Sequence, residues 1–439
     1  MSQFVGVDIG TTRTKVGCYD TATGRLVALR SAPTVVDDDA WGGRRDAGRV
    51  AASVGALLTG LLADPAVRPA DLSGVAVGSV GEEVVPIGAD GSVTAPVLAW
   101  FAGHGRSART EATAWAAGDD TFSVYKLLWL AAHEPAGLAA ARTFTSLADF
   151  VARCLLADPA APVFLNVSHA SRTGLLDPRA GALRDDTLPR LGLTGLALPP
   201  LVGSATVVGR ATGAGVLPAG VPVVAGGHDH MCGAFGAGVR RTGDVYVSAG
   251  TSEAQLLLVD ALPSSVEAGI DTGVFVAGGL RYLHRATPSG RYYQAWHRLL
   301  YDGVDDAVLW REVGSLAGEV APARIDADER TVSLPALPME IARGQLMASL
   351  LKGLAVEADA TTTRLGRLAG VAIADVTVAG VAAGAPAWRA LRQAATARHL
   401  RFVTEPEATV LGVATLAQLG VTGHADIPPD RPPLTGVCE

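Results

Sequence analysis

Phe4-Val5-Gly6-Val7-Asp8-Ile9-Gly10-Thr11-Thr12-Arg13-Thr14-Lys15-Val16-Gly17-Cys18-Tyr19-Asp20 lies near the start of the sequence. Residues 4–9 alternate around an apolar face, Gly10-Thr11-Thr12 interrupts, and residues 14–20 resume the strand pattern. This predicts a β-hairpin with a small, hydroxyl-rich turn. Far downstream, Val245-Tyr246-Val247-Ser248-Ala249-Gly250-Thr251-Ser252 followed by Ala254-Gln255-Leu256-Leu257-Leu258-Val259-Asp260 repeats strand, Gly-Thr-Ser turn and strand. The echo points to a divergent duplication. Glycine lets a backbone approach a ligand closely, while backbone N–H groups and threonine hydroxyls donate to phosphate oxygens. Two such turns facing each other would grip one phosphate chain; either alone reads as an ordinary hairpin. Asp8, an acid at the end of a buried apolar strand, is costly unless paired or beside a cation. Its two readings are a Mg²⁺-linked role and a carboxylate that accepts turn N–H groups.

The composition frames this. The chain has 439 residues, 49% hydrophobic and 18% charged, which excludes disorder. Single cores stop growing at roughly 250–300 residues, so two domains and a cleft between them are expected. No window approaches the roughly 18 uninterrupted apolar residues of a spanning helix, and Asp8 interrupts the first apolar segment, so a soluble chain without an export signal or membrane partner is expected. The net charge of −7 argues against a nucleic-acid partner held by bulk electrostatics. Cys18, Cys154, Cys232 and Cys438 show no ligand spacing, which argues for a reducing, cytoplasmic setting and against structural zinc. Lysine occurs only at Lys15, Lys126 and Lys352.

Between the hairpins, Val221-Pro222-Val223-Val224-Ala225-Gly226-Gly227-His228-Asp229-His230-Met231-Cys232-Gly233 reads as a buried strand, a Gly-Gly turn and a small-residue helix. Asp229 then lies at the helix N-terminus, where the dipole would hold its carboxylate ionised and ready to take a proton from a hydroxyl nucleophile. Phosphoryl transfer asks for little more than that acceptor, a metal and phosphate-gripping loops. The alternative is a simple N-cap. No Cys/His/carboxylate cluster completes a metal set around His228 and His230, and His230 suits a bond to a substrate hydroxyl or a backbone carbonyl.

The constellation resembles the FGGY family of carbohydrate kinases, within the actin/hexokinase/Hsp70 superfamily, along nearly the whole chain. Asp8-Ile9-Gly10-Thr11-Thr12-Arg13-Thr14-Lys15 is similar to the family's first phosphate motif, Gly226-Gly227-His228-Asp229-His230 to its catalytic-base motif, and Gly250-Thr251-Ser252 to its second phosphate motif. Ser123-Val124-Tyr125-Lys126-Leu127-Leu128-Trp129-Leu130 and Asn166-Val167-Ser168-His169-Ala170-Ser171-Arg172-Thr173-Gly174 are similar to two further family segments. Without the resemblance, the first of these is a helix with Leu127, Leu128 and Leu130 packing inward.

The resemblance implies two RNase-H-like (actin-like ATPase) α/β domains, each a mixed sheet flanked by helices, with an interdomain cleft that closes on a sugar or polyol and ATP. The expected boundaries are 1–240 and 241–439, the second domain being shortened relative to the family. It implies Mg²⁺ at Asp8, nucleotide contacts from Asp8, Gly10, Thr11, Thr12, Lys15, Gly250, Thr251 and Ser252, and Asp229 as general base. The sugar site is expected at Glu82 and Glu83, at Trp100 and Phe101, and at Asp229 and His230. Carboxylates accept sugar hydroxyls and aromatic faces cover C–H groups. Val376-Thr377-Val378-Ala379-Gly380-Val381-Ala382-Ala383-Gly384-Ala385 resembles the adenosine motif, with Gly380, Val381 and Ala385 as implied contacts. A β-branched Val381 stands where relatives usually carry glycine.

Relatives also carry Asp and Arg shortly after the tryptophan, where this chain has Ala102-Gly103-His104-Gly105-Arg106. The leading expectation is an ATP- and Mg²⁺-dependent sugar or polyol kinase. A sensor of the same fold that binds without turnover is the alternative, and a homodimer is left open.

Overall fold

A computed structural model describes residues 2–111, 113–116, 119–250, 252–316, 320–326, 330–335, 339–380, 384–403 and 405–425. Among these, 2–238, 273–280 and 407–425 form one compact unit, and 239–272 with 281–406 the other.

In the first unit a six-stranded sheet is built from β1 (Gln3–Ile9), β2 (Arg13–Asp20), β3 (Arg25–Pro33), β4 (Leu72–Ser79), β5 (Val207–Arg210) and β6 (Pro222–His228), in the order β5-β6-β4-β1-β2-β3. Strands β1, β2 and β3 form an antiparallel meander, whereas β4 runs parallel to both β1 and β6. In the second unit β7 (Val245–Ala249), β8 (Glu253–Val259), β9 (Asp271–Val274), β10 (Arg281–Thr287), β11 (Asp375–Ala379) and β12 (His399–Phe402) take the order β9-β10-β8-β7-β11-β12. Again a meander, β7-β8-β10, is extended by two parallel strands. The duplication suggested by the two hairpins is thus a repeat of sheet topology as well as of turn sequence.

Alternation along β1 separates two faces. Val5, Val7 and Ile9 join the core with Val50, Val54, Leu58 and Leu61 of α1 (Ala47–Leu62), whose first turn is capped by the Asp46 carboxylate accepting from the Arg49 amide. Gly6 and Asp8 lie on the opposite face, beneath the closing helix, residues 408–422. That helix has no charged residue and is buried from Val410 to Gln418, so it needs a sheet to cover it. It takes the first one. A Cβ at Gly412 would collide with the Cys232 carbonyl and one at Gly236 with the Ala408 carbonyl, so close approach of two helices fixes these glycines. A single division at residue 240 therefore misassigns the closing helix and the return at 273–280.

The remaining helices needed below are α2 (Ser123–His133), α3 (Leu147–Leu156), α4 (Asp229–Gly236), α5 (Ser289–Tyr301), α6 (Asp306–Leu316), α7 (Arg343–Ala369), α8 (Pro386–Ala394) and the closing helix α9 (Ala408–Thr422). Among the described residues no helix is long and apolar enough to cross a membrane.

Candidate active site

Asp8, next to last in β1, lies opposite Lys15 across the hairpin and opposite Gly78 of β4. On the far side of β4, His228 pairs with Ser79 at the end of β6, and Asp229 follows as the first residue of α4. Two acids thus come to one end of the sheet with a single strand between them. The expected Gly-Gly turn is absent: β6 runs through Gly226 and Gly227 with a register shift after Ala225, because a Cβ at Gly226 would strike the Val77 carbonyl. His228, not Asp229, is the N-cap.

Burial dominates the electrostatics here. Asp8 is 8% exposed, and its Oδ1 is buried without a hydrogen-bond partner. Desolvation lifts its pKa to about 7 against the pull of Lys15. Asp229 is raised well above the usual carboxylate range by burial, and then by the charge of Asp8. Desolvation and the neighbouring acid thus oppose the helix terminus, which favours the ionised carboxylate of Asp229. The Asp229 Oδ1 accepts from the His230 amide at 2.6 Å and lies 3.3 Å from His228 Nε2. The His230 ring stands 6.4 Å from that of His228. His228 is in turn held through its amide, which donates to Ser168 Oγ at 2.9 Å, and that hydroxyl donates to Asn166 Oδ1. The Asn166 segment therefore positions the turn from His228 to Asp229.

The acids expected to meet a sugar are both already paired. Glu83 Oε2 accepts from Arg45 Nε at 2.8 Å with neither side chain exposed, and Glu83 Oε1 accepts from the Trp100 amide at 3.1 Å. Burial pushes Glu83 up while Arg45 opposes it. Glu83 therefore organises the site and has no exposed oxygen for a ligand. Glu82, at a positive φ of 62°, accepts from Arg172 Nε at 2.5 Å, and the Arg172 guanidinium lies 4.3 Å from the Phe122 ring. Neither arginine was foreseen, because both come from 38 and 90 positions away. Trp100 is half-buried and Phe101 is 44% exposed, their rings perpendicular at 6.0 Å. His104 is fully buried against Asp39 at 2.9 Å, so it braces the segment after Trp100. On α2, Leu127 and Leu130 are buried as expected and Leu128 is half-buried, but Lys126 is buried too, its ammonium donating to the Thr121 carbonyl. Burial draws its pKa down to about 8.

In the first turn the Gly10 amide donates to the Arg13 carbonyl, leaving Thr11 half-buried and Thr12 exposed. Lys15 is ion-paired with Glu407 at 2.6 Å. In the second unit the Gly250 amide donates to the Ser252 carbonyl, closing the equivalent turn. Gly380 has φ 118°, and a Cβ there would collide with the Ala249 carbonyl, so only glycine brings the end of β11 beside the end of β7. Gly250 and Ala385 line a cavity of about 460 Å³ with Glu253, Tyr293, Trp310, Trp388 and Arg392. Arg392 forks onto Glu253 at 2.8 and 3.1 Å, and the Tyr293 and Trp310 rings are stacked at 6.2 Å. The cavity's three aromatic rings come from α5, α6 and α8, one from each. Thr251 and Val381 lie outside the described residues.

Residues 3–236 match the model of the FGGY family of carbohydrate kinases, N-terminal domain, over more than half of the chain. The chain belongs to this family. Among FGGY relatives, an autoinducer-2 kinase from Enterobacter sp. (strain 638) is 27% identical over 329 residues, covering 69% of this chain and 61% of that protein. One from Yersinia enterocolitica serotype O:8 / biotype 1B (strain NCTC 13174 / 8081) is 26% identical over 325 residues, covering 67% and 60%. The chain thus spans about three fifths of the length of the curated relatives it matches. Among solved structures, xylulose kinase from Rhodospirillum rubrum superimposes with a TM-score of 0.82 at 20% identity over 97% of this chain and 92% of that one. Plasmodium falciparum glycerol kinase with ADP gives 0.83 at 16% identity over 97% and 91%. The fold of this FGGY chain is accordingly the actin-like ATPase fold.

Proposed function

We propose that the chain transfers the γ-phosphoryl group of ATP to a hydroxyl of a small, neutral sugar or polyol. The observation that carries this reading is the pair of acids, buried Asp8 and half-buried Asp229, brought to one sheet end with an unpartnered carboxylate oxygen on Asp8. Asp229 is the general base: its carboxylate receives the proton of the attacking hydroxyl. In the first unit the side chains of Thr11, Thr12 and Lys15 are offered to phosphate oxygens, and in the second unit the side chain of Ser252 is. Ala385, Gly380 and the aromatic cavity take the nucleoside. A neutral acceptor fits because Arg45 and Arg172 are already neutralised by Glu83 and Glu82.

The residues fit a divalent cation at Asp8, since an orphaned, desolvated carboxylate oxygen is stabilised by positive charge. Among the described residues no cluster of three or more His, Cys, Asp or Glu could hold a metal alone. Mg²⁺ typically takes one or two carboxylates and completes its shell with phosphate oxygens and water. When bound, the ion would supply charge that favours ionised Asp8 and Asp229 and offsets the phosphates.

The test is acceptor-dependent ADP release with Mg²⁺ and ATP over pentoses, ketoses, deoxysugars, polyols and sugar acids. Release with neutral acceptors, lost in Asp229→Asn while ATP still binds, is the expected result. Full activity in that variant sinks the assignment of the base. Nucleotide and sugar binding without turnover on any acceptor replaces the kinase with a sensor.

A further inference from the structure

The turn at Thr11 and the segment bearing Trp100 lie 89 positions apart, yet Trp100 Nε1 donates to Thr11 Oγ1 at 2.8 Å. An indole N–H is a donor only, so the threonine hydroxyl must accept. A hydroxyl that accepts on one side keeps its own proton to give in another direction. The Thr11 carbonyl is held as well, by Arg45 Nη2 at 3.4 Å. Arg45 Nε goes to Glu83 Oε2, and Glu83 Oε1 takes the Trp100 amide. Thr11, Trp100, Glu83 and Arg45 therefore close a ring of hydrogen bonds whose ionic half is wholly buried.

We propose that Trp100 is a positioning residue for the phosphate turn: its indole N–H fixes the Thr11 hydroxyl as a donor toward a phosphate oxygen. This rests on the kinase reading above and adds a role to a residue whose ring face was expected only to cover a sugar. One side chain then serves both substrates. The ring face meets the acceptor and the ring N–H sets the grip on the nucleotide, so the two contributions are separable by removing the N–H alone. The buried Arg45–Glu83 pair keeps the Trp100 backbone in place, so the indole has little freedom to leave Thr11.

The experiment is a mutant cycle over Trp100→Phe, Thr11→Ser, Thr11→Val and the Trp100→Phe/Thr11→Val double variant. It is read by calorimetric titration with a non-hydrolysable ATP analogue and Mg²⁺, and by the KM of the acceptor. Trp100→Phe keeps the ring face and loses only the N–H, so the analogue should bind on the order of tenfold more weakly while the acceptor KM stays within about twofold. Thr11→Ser keeps the hydroxyl and should bind as the unaltered chain does; Thr11→Val should match Trp100→Phe. In the Thr11→Val background Trp100→Phe should cost nothing further. Additive losses overturn the proposal, as does a Trp100→Phe variant that changes the acceptor KM alone. Should Trp100→Phe fold poorly, equal binding of the analogue by Thr11→Ser and Thr11→Val still overturns the proposal, because the hydroxyl that the indole is argued to set would then hold no phosphate. Absence of turnover by the unaltered chain on every acceptor counts against the kinase reading, whereas the titration still reports on Trp100.

Discussion

Lys15 reaches from the second strand of the first hairpin to Glu407, the residue before α9, in a 2.6 Å ion pair. Asp8 stands directly opposite Lys15 in the hairpin register and feels both charges: Lys15 lowers its pKa and Glu407 raises it. The ammonium is thus shared between a partner that only holds it and a neighbour whose ionisation it favours.

Because the pair is about a quarter exposed, its direct contribution to stability is small. Glu407→Gln is expected to lower the thermal midpoint by no more than ~2 °C. Lys15→Met should raise the KM for ATP about tenfold, since a charge-assisted bond to phosphate is lost. Melting curves and initial rates check both. A large loss of stability in Glu407→Gln would show that the pair anchors α9.

Asp8 should make the ligand-free chain less stable as pH rises. Its pKa is about 7 in the fold against an ordinary value of 3.8, so the folded state binds more protons between those limits. The associated stability is fully present below pH 3.8 and is lost as pH rises through 7. Asp8→Asn removes this loss and should stabilise the ligand-free chain by on the order of 4 kcal/mol above pH 7. The same variant should bind Mg²⁺-ATP poorly. Denaturation at pH 5 and pH 8 measures the effect: a wild-type-minus-variant difference that does not grow with pH rejects it.

Both hairpins were legible because their information is local: a period of two, a Gly-Thr turn, and a register that sets Asp8 opposite Lys15. The placement of α9 was not, since an uncharged apolar helix announces burial but not which sheet it covers. Gly226-Gly227 reads as a turn in sequence, and only the nearness of Val77 shows that glycine is needed inside a strand. The acids at 82 and 83 stand out in the sequence but their pairing with Arg172 and Arg45 does not, because pairing over such separations leaves no periodic trace. The second unit's cavity is half visible in the sequence: its backbone glycine stands out, while the aromatic residues that shape it come from α5, α6 and α8 and meet only in the fold.

The Arg45–Glu83 pair should be strongly non-additive. Glu83→Gln leaves a guanidinium buried without its anion and is expected to cost about 3–5 kcal/mol, as is Arg45→Met for the carboxylate. Arg45→Met combined with Glu83→Leu removes both charges and should recover most of that loss, although the Trp100 amide loses its acceptor. Denaturant midpoints for the singles and the double give the coupling directly. Equal, additive losses would mean that the two side chains are stabilised by other groups.

In the second unit, shape and charge make separable contributions. Tyr293, stacked on Trp310, offers a face to a nucleobase, whereas Arg392 is committed to Glu253. Tyr293→Leu should weaken ADP binding about tenfold or more, since stacking of a base on an aromatic ring is worth roughly 1–3 kcal/mol. It should leave the acceptor KM unchanged, because the acceptor is assigned to residues of the first unit. Arg392→Met instead strands a buried carboxylate, so its main effect should be a lower melting temperature. ADP titration and melting of the two variants therefore give opposite patterns. Unchanged ADP affinity in Tyr293→Leu would remove the nucleoside from this cavity while leaving the acids of the first unit, and the assignment of Asp229, untouched.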